Sequence, residues 1–356
     1  MNWTNDLTQL LKIKYPIIQA PMLGVTTPEM VAAVSNEGGL GSLPVGLQSP
    51  EKALELIRKT KSLTAKPFAV NLFAHDLPEI DPAAISELQD RLLVIAREHG
   101  LDYNPVEIEK IRHYSYREQI EIIIAEHVPV VSFTFGVIDQ ESIRRFHEAG
   151  ILLIGTATSV REAQHLESIG IDVITAQGIE AGGHRGTFLF DEPLPQVGSM
   201  SLIPQVTDQV KVPVLAAGGI MDGRSIKAAM ILGALGVQVG SAFLRSDESL
   251  GIDVYKDAVA DSADTETVLT RAFSGRWARG IRNTFHDEVE KLNLDYPAYP
   301  LLNDLTVPMR TASQKSQNKE FTTLWAGQSA RLAKSKSSAE IFRDLVIETE
   351  ELLKLK

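Results

Sequence analysis

The stretch VPVLAAGGIMDGRSIKAAMILGALGVQVGSAFL, residues 212–244, reads as a strand, a helix and a second strand. Its ends, VPVLAAGG (212–219) and GVQVGSAFL (236–244), are short apolar runs without polar alternation, the pattern of strands buried on both faces of a parallel sheet. Between them Asp222 is placed to cap a helix that stops at Gly233. Six earlier runs have the same character: PIIQAPM (16–22), LGSLP (40–44), PFAVNLF (67–73), VPVVSFTFG (128–136), ILLIGTAT (151–158) and DVITAQG (172–178). Eight strands, each followed by a helix, is the count of an α/β (β/α)8 barrel, with a doubly wound open sheet as the competing arrangement.

Helix starts between the runs carry recognisable signals. Thr27–Pro28 and Ser49–Pro50 each pair an N-cap with a first-turn proline, and Ser159 with Glu162 fits a capping box. Two stretches break the spacing. Residues 74–127 are too long for one crossover and are expected to hold helices near 82–99 and 105–126. Residues 245–356 read as mostly helical and polar, with ASQKSQNKE (312–320) as the expected mobile loop. The expected organisation is a barrel over 1–244 with a helical insertion at 74–127. A helical C-terminal extension over 245–356 packs on it as part of the same catalytic unit.

Composition narrows the chemistry. The 356 residues include no cysteine, which excludes disulfides, thiolate metal sites, iron–sulfur clusters and a cysteine nucleophile. With 46 acidic against 35 basic side chains the formal charge is −11, so no basic nucleic-acid face is expected. No apolar run has the length of a membrane span, and the start, MNWTNDLTQLLKIKYP, lacks a signal-peptide pattern. A cytoplasmic enzyme is the expectation.

In parallel α/β proteins ligands bind beyond the C-terminal strand ends. Here those ends are rich in glycine and in uncharged hydrogen-bonding side chains. The densest motif is AQGIEAGGHRG (176–186), which leaves the sixth strand with four glycines and places His184 at its tip. Glycine pairs let backbone approach a flat or anionic ligand, and histidine exchanges protons near neutral pH. A tight turn with a solvated histidine is the plain alternative. The loops after the seventh and eighth strands, VLAAGGIMDGR (214–224) and VQVGSAFLR (237–245), both put glycine where such barrels bind phosphate. Close helix–sheet packing is the other explanation. Neither loop fits an ATP-type phosphate loop or a dinucleotide fingerprint, so a nucleotide monophosphate or flavin mononucleotide (FMN) suits this cradle better. Asn71 and Gln177 carry amides that match the donor and acceptor edge of an isoalloxazine ring, or cap loop backbone. Asp191 and Glu192 read as loop charges, no His/Asp/Glu cluster has metal spacing, and the chemistry must lean on a cofactor plus one base.

Taken together, YPIIQAPMLGVTTPEMVAAVSNEGGLGSLPVG (15–46), PFAVNLF (67–73), AQGIEAGGHRG (176–186), PVLAAGGIMDGR (213–224) and LWAGQSARL (324–332) resemble the nitronate monooxygenases, formerly 2-nitropropane dioxygenases. The segment Trp325 to Gln328 is similar to class I members. This resemblance implies a TIM barrel with non-covalent FMN held by Asn71, Gln177, Gly182, Gly183, Gly218, Gly219, Gln238, Val239, Gly240 and Ser241, with Met22 along the ring. It implies His184 as the active-site histidine and Tyr296 or Tyr299 as a substrate-gating tyrosine. The implied reaction oxidises an alkyl nitronate such as propionate 3-nitronate with O₂, through a flavin semiquinone, to a carbonyl compound and nitrite. Rival expectations are an FMN-dependent enoyl-ACP reductase using NAD(P)H, which shares the glycine-histidine loop, and a non-catalytic flavin-binding protein. The oligomeric state is left open.

Overall fold

The computed structural model describes residues 3–79, 81–189, 194–293 and 296–354. The eight apolar runs become β1 (Ile17–Gln19), β2 (Gly41–Pro44), β3 (Phe68–Phe73), β4 (Val130–Thr134), β5 (Leu152–Ala157), β6 (Val173–Gln177), β8 (Val214–Ala217) and β9 (Gly236–Val239). They pair in parallel in the order β1-β9-β8-β6-β5-β4-β3-β2. A parallel bridge from Ile18 to Leu40 brings the two ends of that order together, giving a nearly closed (β/α)8 barrel.

The helices follow in chain order: α1 (Asp6–Leu11), α2 (Pro28–Asn36), α3 (Pro50–Leu63), α4 (Pro82–Glu98), α5 (Arg117–Ala125), α6 (Gln140–Glu148), α7 (Val160–Ser168), α8 (Ser199–Thr207), α9 (Gly223–Ile231), α10 (Asp253–Asp261), α11 (Thr284–Lys291), α12 (Leu301–Lys315) and α13 (Ser338–Lys354). Thr27, Ser49 and Asp222 cap their helices, each side-chain oxygen accepting from an amide in the first turn. Ser159 also caps α7, but the reciprocal half of its box is missing. Glu162 turns inward instead, and Oε2 accepts from Thr158 N and Oγ1 while Oε1 accepts from Thr187 Oγ1 and the amides of Phe188 and Leu189. Five donors offset the cost of burying that carboxylate.

Inward-facing strand residues form two layers. Ile18, Leu40, Ala69, Val130, Ile154, Val173 and Leu215 make the lower one, plugged from beneath by Leu7 and Leu11 of α1. Two residues further along the strands, on the same face, stand Asn71, Ser132, Thr156, Thr175 and Ala217, which with Gln238 of β9 line an open cavity. The period of two thus converts an apolar floor into a polar, uncharged wall.

The ring's eighth helix is α13, at the far end of the chain. It sits against α9 and α2: Gly223 N donates to Glu348 at 3.2 Å, Lys227 Nζ to the Leu352 carbonyl at 2.6 Å, and Arg343 pairs with Glu37 at 2.7 Å. Residues 245–337 are therefore an excursion between the eighth strand and its helix. Over 245–356 the regular structure is mainly helical, as expected, in α10 to α13, but the excursion adds a small sheet. It contains β10 (Thr267–Thr270) and β11 (Ala278–Ile281), an antiparallel pair joined by β7 (Gly183–His184). β10 is mostly half-buried and flanked by threonines, and β11 carries Arg279 and Gly280, so neither shows the continuous apolar signature of the barrel strands.

Two further expectations are corrected. The stretch 105–126 is helical only as a 3₁₀ turn at Ile108–Lys110 and as α5, because Val106, Ile108 and Ile111 pack sideways on a second core. In 312–320, α12 continues to Lys315 with Ser313 buried, and a 3₁₀ turn follows at Lys319–Phe321. The second core unites α4 with the excursion through Ile85, Leu88, Leu92, Phe273, Phe285 and Leu305. Tyr103 Oη donates to the Leu305 carbonyl at 3.2 Å and His113 Nε2 meets Asp304 at 2.6 Å, so the insertion and α12 are clasped together. No described helix is long and apolar enough to cross a membrane. Asp191 and Glu192 lie outside the described residues.

Candidate active site

The polar layer opens into a cavity of about 400 Å³ at the C-terminal strand ends, roofed by α12 and by Trp325. Its floor is barrel and its roof is excursion, so the two halves of the molecule meet here.

The glycine-histidine loop is held from three sides. Gln177 Nε2 donates to the His184 carbonyl at 3.0 Å, and its Oε1 accepts from Gly186 N at 2.9 Å. Gly183 and His184 pair with Arg279 and Ala278 of β11, and Arg185 N donates to the Trp277 carbonyl. Arg185, almost fully buried, donates to the carbonyls of Gly178 and Gln177 at 2.6 and 2.9 Å. Gly182 is needed for close approach, since a Cβ there would lie 2.4 Å from Gly327 N. Gly183 has φ +72°, where a side chain is strained. The loop is thus a clamp built to aim one imidazole.

His184 Nε2 lies 2.7 Å from Ser274 Oγ, on the turn before β11. The ring is edge-on to Phe135, Trp325 and Tyr299, with centroids 5.1, 5.3 and 5.9 Å away. Burial, reinforced by the positive charges of Arg276 and Arg310, pushes its pKa down to about 3, so the imidazole is neutral at physiological pH. Phe135 itself holds φ +75°, a strained backbone for a bulky residue, and Arg276 stacks 4.8 Å over its ring. Behind Tyr299 lies His75, 4.8 Å away, with both ring nitrogens buried and without a partner.

Met22, Asn71, Gln177, Gly182, Gly183, His184, Gly218, Gly219, Gln238, Gly240, Ser241 and Tyr299 all line this one cavity. The side chain of Val239 does not; it packs into the barrel–helix core, and its carbonyl accepts from Ala20 N. Tyr296 is also outside, packed on the second core with Arg271 5.3 Å over its ring. Gly218 and Gly219 have φ +101° and +74° and open toward the cavity. The neighbouring helix start is not free: Asp222 caps it, paired to Arg224, and Glu348 accepts from Gly223 N. An anion at this end would rest on the 218–219 and 240–241 turns and not on the α9 terminus.

Among the described residues, two uncharged polar atoms of the strand wall lack partners. Asn71 donates through Nδ2 to Ser132 Oγ at 3.0 Å, but its Oδ1 is buried and unsatisfied, and so is Thr175 Oγ1. Buried polar atoms left open on a cavity wall indicate a polar ligand edge. Among the described residues no group of three or more His, Asp or Glu is arranged to hold a metal ion.

Sequence reasoning did not find Ser274, Arg276 or Arg310, which come from the excursion, or Phe135 as a strained position. Arg310 had a faint signal: with Asn303 and Val307 it follows helical spacing, and all three line the cavity.

The chain matches the family model described as nitronate monooxygenase over residues 4–348. A relative called probable nitronate monooxygenase, from Staphylococcus aureus (strain JH9), is 44% identical over 353 residues, covering 99% of each chain. Nitroalkane oxidase from Streptomyces ansochromogenes is similar in structure, with TM-score 0.88, 36% identity and coverage of 98% of this chain and 99% of that one. FabK from Thermotoga maritima is also similar, with TM-score 0.76, 29% identity and coverage of 99% and 97%. With a match across nearly its whole length and a cavity at the expected end of the barrel, the chain belongs to the nitronate monooxygenase family and is an oxidoreductase.

Proposed function

We propose that the chain oxidises alkyl nitronates such as propionate 3-nitronate with O₂, giving a carbonyl compound and nitrite, with FMN as cofactor. FMN when bound would supply the electron acceptor that no side chain of this cysteine-free protein offers. The residues fit it: the open Oδ1 of Asn71 could accept from the one ring-edge N–H, the Thr175 hydroxyl could donate to a ring carbonyl, and the 218–219 and 240–241 turns would suit its phosphate.

The observation that carries the reading is the setting of His184, enclosed by Phe135, Tyr299 and Trp325 with Ser274 on its Nε2. A neutral imidazole whose protonation is opposed by desolvation and by two guanidinium groups is a weak base. It suits a substrate that arrives already deprotonated. A nitronate is such an anion, and the same positive field that disfavours an imidazolium stabilises it. Ser274 fixes the ring's orientation, while Phe135, Tyr299 and Trp325 exclude water around it. A neutral nitroalkane would require His184 to take its α-proton.

Steady-state O₂ consumption tests this directly. Propionate 3-nitronate is expected to turn over faster than 3-nitropropionate by about 10²-fold or more, the range a competent general base contributes. The similarity to FabK makes NAD(P)H oxidation the control. NAD(P)H turnover faster than nitronate turnover, or a nitroalkane rate equal to the nitronate rate, contradicts the reading.

A further inference from the structure

One charged group in the cavity, Arg310, has hydrogen-bonding capacity that its field at His184 does not use. Besides His184 and the tyrosines, the ionisable side chains among the described residues lining the cavity are Glu180 and Arg310. Glu180 is committed, accepting from Ser199 N and Oγ at the start of α8. Arg310 is not committed to an anion. Its Nη1 donates to Thr323 Oγ1 at 3.0 Å, its Nη2 to the carbonyl and side-chain oxygens of Asn303 at 2.8 Å, and its Nε is buried without a partner. The one carboxylate whose field reaches it, Asp304, is already bonded to His113 at 2.6 Å. A buried guanidinium held by neutral acceptors retains unused capacity for a planar anion.

We propose that Arg310 binds the carboxylate at the far end of the substrate, so that the enzyme prefers nitronates carrying an acidic tail; this rests on the nitronate reading above. Residues Asn303, Val307 and Arg310 present one face of α12 to the cavity that Tyr299 and His184 also line. The nitronate end faces the imidazole, and the tail lies along that helix face. The alternative anion is the cofactor phosphate. The glycine turns suited to it neighbour Glu180, Ala20 and Met22, whereas Arg310 touches Asn303 and Thr323.

The test uses Arg310→Gln and Arg310→Lys in the full chain as purified. Substrates are propionate 3-nitronate and propyl 1-nitronate, which has methyl in place of the carboxylate. Arg310→Gln is expected to raise KM for the first by about 10- to 100-fold, the loss typical of a charge-assisted hydrogen bond. Its effect on the second, which loses only the general field of Arg310, is smaller by at least about 5-fold, and Arg310→Lys retains part of the preference. Calorimetry with succinate, an inert dianion, gives a second readout independent of turnover: wild type binds it and Arg310→Gln weakens it by a similar factor. If wild type turns over no nitronate, the proposed function fails, while succinate binding still decides the role of Arg310. Equal effects on both nitronates, or unchanged succinate binding, overturn the inference. Lost flavin content in the variants would assign Arg310 to the cofactor phosphate, and loss of the fold in both would make its role structural; either also overturns it.

Discussion

His184 was legible in the sequence because four nearby glycines and a strand end isolate it from the other histidines; its protonation state was not. That state depends first on burial and then on the charges of Arg276 and Arg310, which come near the ring only after the chain has folded back. Two outcomes follow at this scale. His184→Asn is expected to lower nitroalkane turnover far more than nitronate turnover while leaving bound flavin intact; equal loss of all three would make the histidine structural. Ser274→Ala removes the hydroxyl that orients the ring from 90 residues away. It should cost about 1 kcal/mol of stability, the worth of one hydrogen bond, yet lower kcat/KM by about 10-fold through misorientation. A large melting shift with unchanged kcat/KM would contradict that role. Gln177 shows the limit of reading an amide by position. Both ends of its side chain bond the His184 loop, so its first task is to hold the clamp, whatever it also offers to a ligand.

Barrel strands announced themselves because each is buried on both faces and so reads as an unbroken apolar run. The small sheet of β7, β10 and β11 did not, since β7 has two residues and β10 is half-buried, with no run long enough to detect. Yet this sheet aims the histidine, and the Trp325–Gln328 segment locks it: Ala326 N donates to the Arg279 carbonyl, Gly327 N to Ser241 Oγ and Gln328 N to the Glu180 carbonyl. Gly182→Ala would push a methyl into Gly327 and Ala326. The expected result is a loss of about 1–3 kcal/mol with lowered activity, because backbone on both sides must move. Wild-type stability by chemical denaturation would show that the contact is looser than described. Trp325 to Gln328 was recognisable as a motif, but its physical task, closing the loop onto the eighth strand end, came only from the fold.

At the scale of the molecule, the barrel draws on both ends of the chain, with α1 as its floor plug and α13 as its eighth helix. Leu7→Ala or Leu11→Ala should therefore destabilise the whole barrel, by about 2–5 kcal/mol for a fully buried leucine. Acid sensitivity is a second global property. His75 and His184 are held neutral when folded, with pKa values lowered from 6.5 to about 4 and about 3. Unfolding lets both bind protons below 6.5, so stability falls as pH drops from there toward 4. Melting temperature should decline between pH 7 and 5, and His75→Phe should flatten that slope; an unchanged slope would mean that His75 is charged in the fold. What the fold builds, in the end, is a cavity with aromatic rings around a neutral histidine, two guanidinium groups acting on that histidine, and open hydrogen-bond acceptors on its wall. The most direct test is the visible spectrum of the purified protein before and after anaerobic mixing with propionate 3-nitronate. The expected result is a flavin spectrum that loses intensity on mixing and recovers when O₂ is admitted. A colourless protein, or flavin that responds to NAD(P)H and not to the nitronate, would contradict the central claim.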